Sequence, residues 1–122
     1  MTLTDFYTRV LRKLKVVPPN GAALSEDLQR VIDVYPQVHA MLLSEGMVEW
    51  GVAEAIPDKF ALPMIDIVAC HLLDDFSVPQ EDMAKLKMEG ELFGNPPSSA
   101  ERKLKKLLDP DYVESTGQSL YY

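Results

Sequence analysis

Pro57-Asp58-Lys59-Phe60-Ala61-Leu62-Pro63-Met64-Ile65-Asp66-Ile67-Val68-Ala69-Cys70-His71-Leu72 is the stretch on which the fold turns. Proline suits a first helical position, where its missing N–H is not needed, and Asp58 suits a first turn, where the helix dipole favours negative charge. Phe60, Met64, Ile67, Val68, Cys70 and Leu72 then predict a helix running to about Asp75. It is apolar enough to be the central core helix. Pro63 either kinks it or marks its true beginning.

Toward the N-terminus, Met47 to Ile56 breaks the helical period. Val48, Trp50 and Val52 alternate with Glu49 and Gly51, the pattern of an extended loop with room for a short strand. Before it, Ser25-Glu26-Asp27 is a helix start, and Leu28, Val31, Ile32, Tyr35, Val38, Met41 and Leu42 carry an apolar stripe to a stop at Gly46. This helix spans about Glu26 to Glu45, and Pro36 inside it predicts a kink or two shorter helices. At the start of the chain Leu3, Phe6, Tyr7, Val10, Leu11 and Leu14 recur at helical spacing, with Arg9, Arg12, Lys13 and Lys15 on the other face. Thr2 or Thr4 caps this helix, and Pro18-Pro19-Asn20-Gly21 stops it.

Toward the C-terminus, Pro79 followed by Gln80, Glu81 and Asp82 starts a fourth helix carrying Met83, Leu86, Met88 and Leu92, with Gly94 as its stop. Asn95-Pro96-Pro97 breaks the chain, and Ser98 or Ser99 caps a fifth helix with Leu104, Leu107 and Leu108 that Asp109-Pro110-Asp111 ends. Tyr112 to Tyr122 has no period. The expected fold is therefore all-α, a small helical bundle of four to five helices over residues 1–109 with an extended C-terminal tail over 110–122. Arg12-Lys13-Leu14 and Arg102-Lys103-Leu104 look alike, but their surroundings do not continue the match, so no internal repeat is read.

The 122 residues suit one domain with one core. Hydrophobic residues are 47% and charged residues 25%, as in an ordinary globular protein. Twelve Lys and Arg against nineteen Asp and Glu give a formal net charge of -7, which disfavours general attraction to a phosphate backbone. Apolar runs such as Ile65 to Cys70 fall far short of the roughly 20 residues of a membrane span, and no signal-peptide core is present. A soluble, intracellular protein without membrane contact is expected. Cys70 is the only cysteine, which excludes an internal disulfide and a Cys-based zinc site within one subunit. It reads as a small buried hydrophobe.

No catalytic residues, cofactor site or metal site are assigned. His39 and His71 stand alone in their helices, and no Gly-rich phosphate loop, GxSxG elbow or HExxH pair occurs. The basic clusters Arg9/Arg12/Lys13/Lys15 and Arg102/Lys103/Lys105/Lys106 have no interleaved aromatics of the kind that bind single strands; they are either contacts for DNA or an acidic partner surface, or solvated helix faces. Trp50 in the irregular loop is either an interface anchor or a core plug under the loop. With Met47 and Val52 it forms a candidate subunit or tail interface. Leu120, Tyr121 and Tyr122, with Tyr112 and Val113, place large side chains where a free chain gains nothing from them, so the tail is a candidate docking segment.

The order of residues resembles the head-to-tail adaptor, or connector, proteins of tailed bacteriophages, also called head completion or tail accessory proteins. The resemblance runs from Asp5 to Phe76. It is carried by Asp5-Phe6-Tyr7-Thr8-Arg9-Val10-Leu11-Arg12-Lys13-Leu14-Lys15-Val16, then Leu43-Ser44-Glu45-Gly46, then Met47-Val48-Glu49-Trp50-Gly51, and then Ala69-Cys70-His71-Leu72-Leu73-Asp74-Asp75-Phe76. It implies a small helical bundle, no enzyme, that assembles as a homo-oligomer, typically a dodecameric ring, in the virion neck beneath the portal protein. Its C-terminal segment would dock on the portal and its other end would receive the downstream tail or nozzle protein. Double-stranded DNA would pass through without specific binding, and an acidic channel wall meets that requirement. Two other classes remain open: a small helical binding or regulatory protein acting as monomer or dimer, and a divalent-metal enzyme using Asp74, Asp75, Glu81 and Asp82.

Overall fold

The computed structural model describes residues 1–17 and 21–111. Within them the chain forms α1 (Leu3–Lys13), α2 (Ser25–Ser44), α3 (Asp58–His71), α4 (Gln80–Gly90) and α5 (Ser99–Leu108). α3 packs against all four other helices, while α1 pairs with α2 and α4 pairs with α5. That position explains its composition, since a helix covered on several sides cannot keep a polar face. Phe60, Met64, Ile67 and Val68 are fully buried there, against Phe6, Val10 and Leu11 of α1, Val31, Tyr35 and Leu42 of α2, Leu86 of α4 and Leu104 of α5. Each such side chain removed from water contributes about 1.5–3 kcal/mol.

The caps follow the local chemistry. Thr2 Oγ1 accepts the Asp5 N–H at 3.2 Å, and Ser98 Oγ accepts the Glu101 N–H at 3.2 Å. Both side chains satisfy amides that the first turn leaves without a backbone acceptor. α2 closes on Gly46, whose φ of 69° lets Met47 N–H reach back to Leu42 O at 2.8 Å and Gly46 N–H to Leu43 O at 3.0 Å. The same double closure ends α1 around Lys15, at φ 61°, with Val16 N–H on Leu11 O at 3.1 Å. The Pro18-Pro19-Asn20 part of the expected stop lies outside the described residues.

Five expectations change, in whole or in one of their alternatives. α2 is one helix running through Pro36, not two shorter ones, and Pro36 sits with Ile32 on the exposed side. α3 ends at His71 rather than near Asp75. Beyond it, i to i−3 bonds from Leu72 and Leu73 tighten the chain into a turn in which both residues stay buried. Pro63 lies inside α3 and does not begin it. α4 ends at Gly90, not Gly94, because Gly90 is pressed against α3 and Glu91 turns extended at φ -65°, ψ 131°. Met47 to Ile56 holds no strand: its alternation is that of an extended segment laid on the core, with Val48 and Trp50 inward and Glu49 outward.

Candidate assembly surfaces

In a helical protein the informative positions are buried polar groups and exposed apolar patches. The inside is closed. Trp50 is only 6% exposed; its Nε1–H donates to Tyr35 Oη at 2.9 Å and its ring stacks at 5.0 Å on Phe60. His39 Nε2 lies 2.7 Å from Trp50 O, so that nitrogen carries the proton and donates. Tyr35 contacts Phe6, Tyr7 and His39, so an aromatic series runs from α1 through α2 to the loop and α3. Met47 is buried as well. Of the three loop residues named as a candidate interface, Met47 and Trp50 are thus taken up by the chain's own core, and Val52 is exposed. The second histidine is also tied to backbone, with His71 Nδ1 donating to Ile67 O at 2.8 Å.

The carboxylates around the α3–α4 turn disperse. Asp75 faces Arg30 of α2 at 3.9 Å, and Asp82 holds Lys15 at 3.2 Å. Among the described residues no three His, Cys, Asp or Glu side chains converge as metal ligands. Cys70 is half-buried, and burial pushes its thiol up to about 11.

Three members of the first basic cluster, Arg9, Lys13 and Lys15, pair with carboxylates of the same chain, while Arg12 is exposed. Lys13 Nζ lies 3.4 Å from Asp66 Oδ1 of α3 and 3.2 Å from Glu89 Oε1 of α4, tying three helices together. Burial works against the Lys13 ammonium, but Asp66 and Glu89 outweigh it and hold its pKa above the ordinary value. For Asp66 the balance is reversed: burial outweighs Lys13 and raises the carboxyl. Arg9 pairs with Asp5 at 3.6 Å. The second cluster behaves differently. Lys105 pairs with Glu101 at 3.3 Å, whereas Lys103 and Lys106 enter no ion pair among the described residues and line a groove of about 540 Å³ between α3 and α5.

The outside carries uncovered apolar side chains in separate places: Leu24 and Leu43 at the two ends of α2, Leu62 on α3, Met88 on α4 and Phe93 in the following loop. Phe93 is held out deliberately. Glu101, 2% exposed, accepts its backbone N–H through Oε1 at 2.6 Å and fixes it at φ 59° with the ring 54% exposed. A buried carboxylate is tolerated where its oxygens are hydrogen-bonded and paired, as the second oxygen is by Lys105.

The chain matches no family model, no curated protein and no solved structure. Among the surfaces, the tail residues Tyr112, Val113, Leu120, Tyr121 and Tyr122 lie outside the described residues. Sequence reading missed Leu62, Phe93 and Glu101. Ser98-x-x-Glu101 was the available signal for Glu101, since a glutamate three residues after a helix cap commonly reaches back to a backbone amide. Nothing in the sequence separates Leu62 from its inward-facing neighbours in α3.

Proposed function

We propose that the chain is a subunit of a ring joining the head of a tailed bacteriophage to its tail, seated beneath the portal and continuing the DNA channel in the virion neck. The ordered resemblance from Asp5 to Phe76 supports this reading, as do the helical bundle and the net charge of -7, which suits a wall that DNA must slide past without gripping. The observation that carries it is that ordered resemblance; the apolar side chains left uncovered at both ends of α2, on α3, on α4 and in the loop after α4 give a ring subunit contacts toward two neighbours, the portal above and a tail protein below. In this arrangement the tail carrying Tyr112, Val113, Leu120, Tyr121 and Tyr122 runs to the portal and docks on it through its closing Leu120, Tyr121 and Tyr122. Val52 meets a neighbour or the tail, and Met47 and Trp50 hold its loop in place from beneath.

The test is the absolute mass of the purified chain in solution, alone and mixed with its cognate portal, repeated after deletion of 111–122. A closed ring, or a monomer that forms one only on the portal and fails to do so without the tail, is the expected result. A stable monomer or dimer indifferent to the portal would sink the proposal and favour a small binding or regulatory protein.

A further inference from the structure

We propose that the groove between α3 and α5 is a subunit contact that receives the acidic segment following α5 in a second copy of this chain. The floor of the groove is Leu62, 66% exposed, with Pro63 and Leu107; its rim is Lys59, Lys103 and Lys106. Asp58 at its end is engaged by the Met1 amino group at 2.7 Å. An apolar floor under three ammonium groups, on a molecule of net charge -7, selects an acidic segment that also carries apolar side chains. Asp109-Pro110-Asp111-Tyr112-Val113-Glu114 has that composition: three carboxylates around a Tyr-Val pair.

The segment starts on the wrong side to fill the groove of its own copy. Lys103, Lys106 and Leu107 lie on one face of α5, while Lys105, Leu108 and Asp109 line a separate cavity with Gly46, Met47 and Phe93. At 3.6 residues per turn those two sets point in roughly opposite directions. Asp109 and Asp111 are exposed there, with Asp109 Oδ1 accepting the Asp111 N–H at 3.1 Å. A receptor on one face and a donor on the other make a heterologous contact, the kind that propagates around a ring. The contact deepens the ring reading and rests on it for the second copy.

Two charge-reversed full-length chains test it: Lys59→Glu/Lys103→Glu/Lys106→Glu in the groove, and Asp109→Lys/Asp111→Lys/Glu114→Lys in the segment, both checked for unchanged helical circular dichroism. The masses of each, of their mixture and of the unaltered chain are measured by sedimentation with and without portal. In parallel, a labelled peptide of residues 109–114 is titrated with the unaltered and groove-reversed chains. Expected are assembly of the unaltered chain and of the mixture, failure of each reversed chain alone, and peptide binding about tenfold or more weaker to the reversed groove. Assembly that survives both reversals overturns the contact and leaves the ring reading standing. Peptide binding through the groove by a chain that never assembles supports the contact and counts against the ring. Equal peptide binding to both chains, or none to an unassembled unaltered chain, overturns the contact.

Discussion

Replacing Gly90 by Ala should destabilise the whole molecule although it improves the local helix. Gly90 is the last residue of α4 and is buried against the middle of α3. A Cβ there would stand 2.1 Å from Asp66 O and 2.6 Å from Asp66 C, with Cys70 Cβ at 3.1 Å. The first two obstacles are backbone and cannot rotate away. Restoring an ordinary carbon–oxygen contact requires the helices to part by about 1 Å, which forfeits a quarter to a half of the dispersion attraction across the gap. The affected seam holds Leu86 and the Lys13–Asp66–Glu89 group. Helix propensity acts the other way, favouring Ala by at most about 1 kcal/mol and by less at a helix terminus. Overpacking against backbone belongs at the upper part of the 1–3 kcal/mol range, so the net loss is about 1–2 kcal/mol. Urea unfolding followed by far-ultraviolet circular dichroism measures it as a lower midpoint at unchanged slope. A midpoint equal to or above that of the unaltered chain would refute the close approach of α4 to Asp66.

Gly46→Ala should cost about 1 kcal/mol through backbone conformation alone, since φ is 69° and nothing lies within 4 Å of the new methyl group; an unchanged melting curve would mean that α2 does not close on Gly46. Glu101→Ala should cost about 1–3 kcal/mol by leaving the Phe93 amide without its acceptor, and hydrogen exchange at that amide should accelerate; Glu101→Gln, which keeps an acceptor, should cost less. Stability should also fall in alkali. Burial raises Tyr35 and Tyr7 above 10.0, and Lys13 stands above 10.5. The folded state therefore holds these protons longer than the unfolded chain, so the stability is fully present below about pH 10 and is lost as pH rises through the raised values. Urea midpoints across that range, falling less steeply in Tyr35→Phe than in the unaltered chain because Tyr7 and Lys13 remain, would check the assignment to Tyr35; equal slopes in the two chains would contradict it.

What the sequence reveals of this fold depends on how many sides of each helix are covered. α1 and α5 each bury one face, so their periodicity and their serine or threonine caps at Thr2 and Ser98 can be read directly. α3 is covered by four helices and is apolar on most sides, so neither its end at His71 nor the outward turn of Leu62 leaves a mark in the pattern. Gly90 and Gly94 are equivalent as stop signals, and only the proximity of Asp66 distinguishes them. Trp50 was readable as a large side chain in an irregular loop, but its choice between core and interface was made by Tyr35 and Phe60, fifteen residues before it and ten after. Of the candidate surfaces, Val52 was named in advance, while the groove and Phe93 emerge only from helix packing.

The two Arg-Lys-Leu triplets show how packing assigns different work to the same residues. Leu14 and Leu104 are both buried, so each triplet is set in the same sense against the core. Lys13 then meets Asp66 and Glu89 and becomes an internal tie, whereas Lys103 acts on Asp66 only as the last of its charged neighbours and lines the groove with Leu62 and Pro63. This matters for any association between copies, because two molecules of net charge -7 repel each other over most of their surfaces. A contact must therefore place local positive charge opposite local negative charge, and the Lys59, Lys103 and Lys106 rim is one place where the described surface gathers it beside apolar area. Salt acts on such a contact in two directions: it screens the general repulsion within about 10 Å at 0.1 M, and it weakens the lysine–carboxylate pairs at the rim. The apolar floor is insensitive to that screening. The proposed contact should therefore weaken with salt but not vanish, whereas one made by charge alone would be abolished.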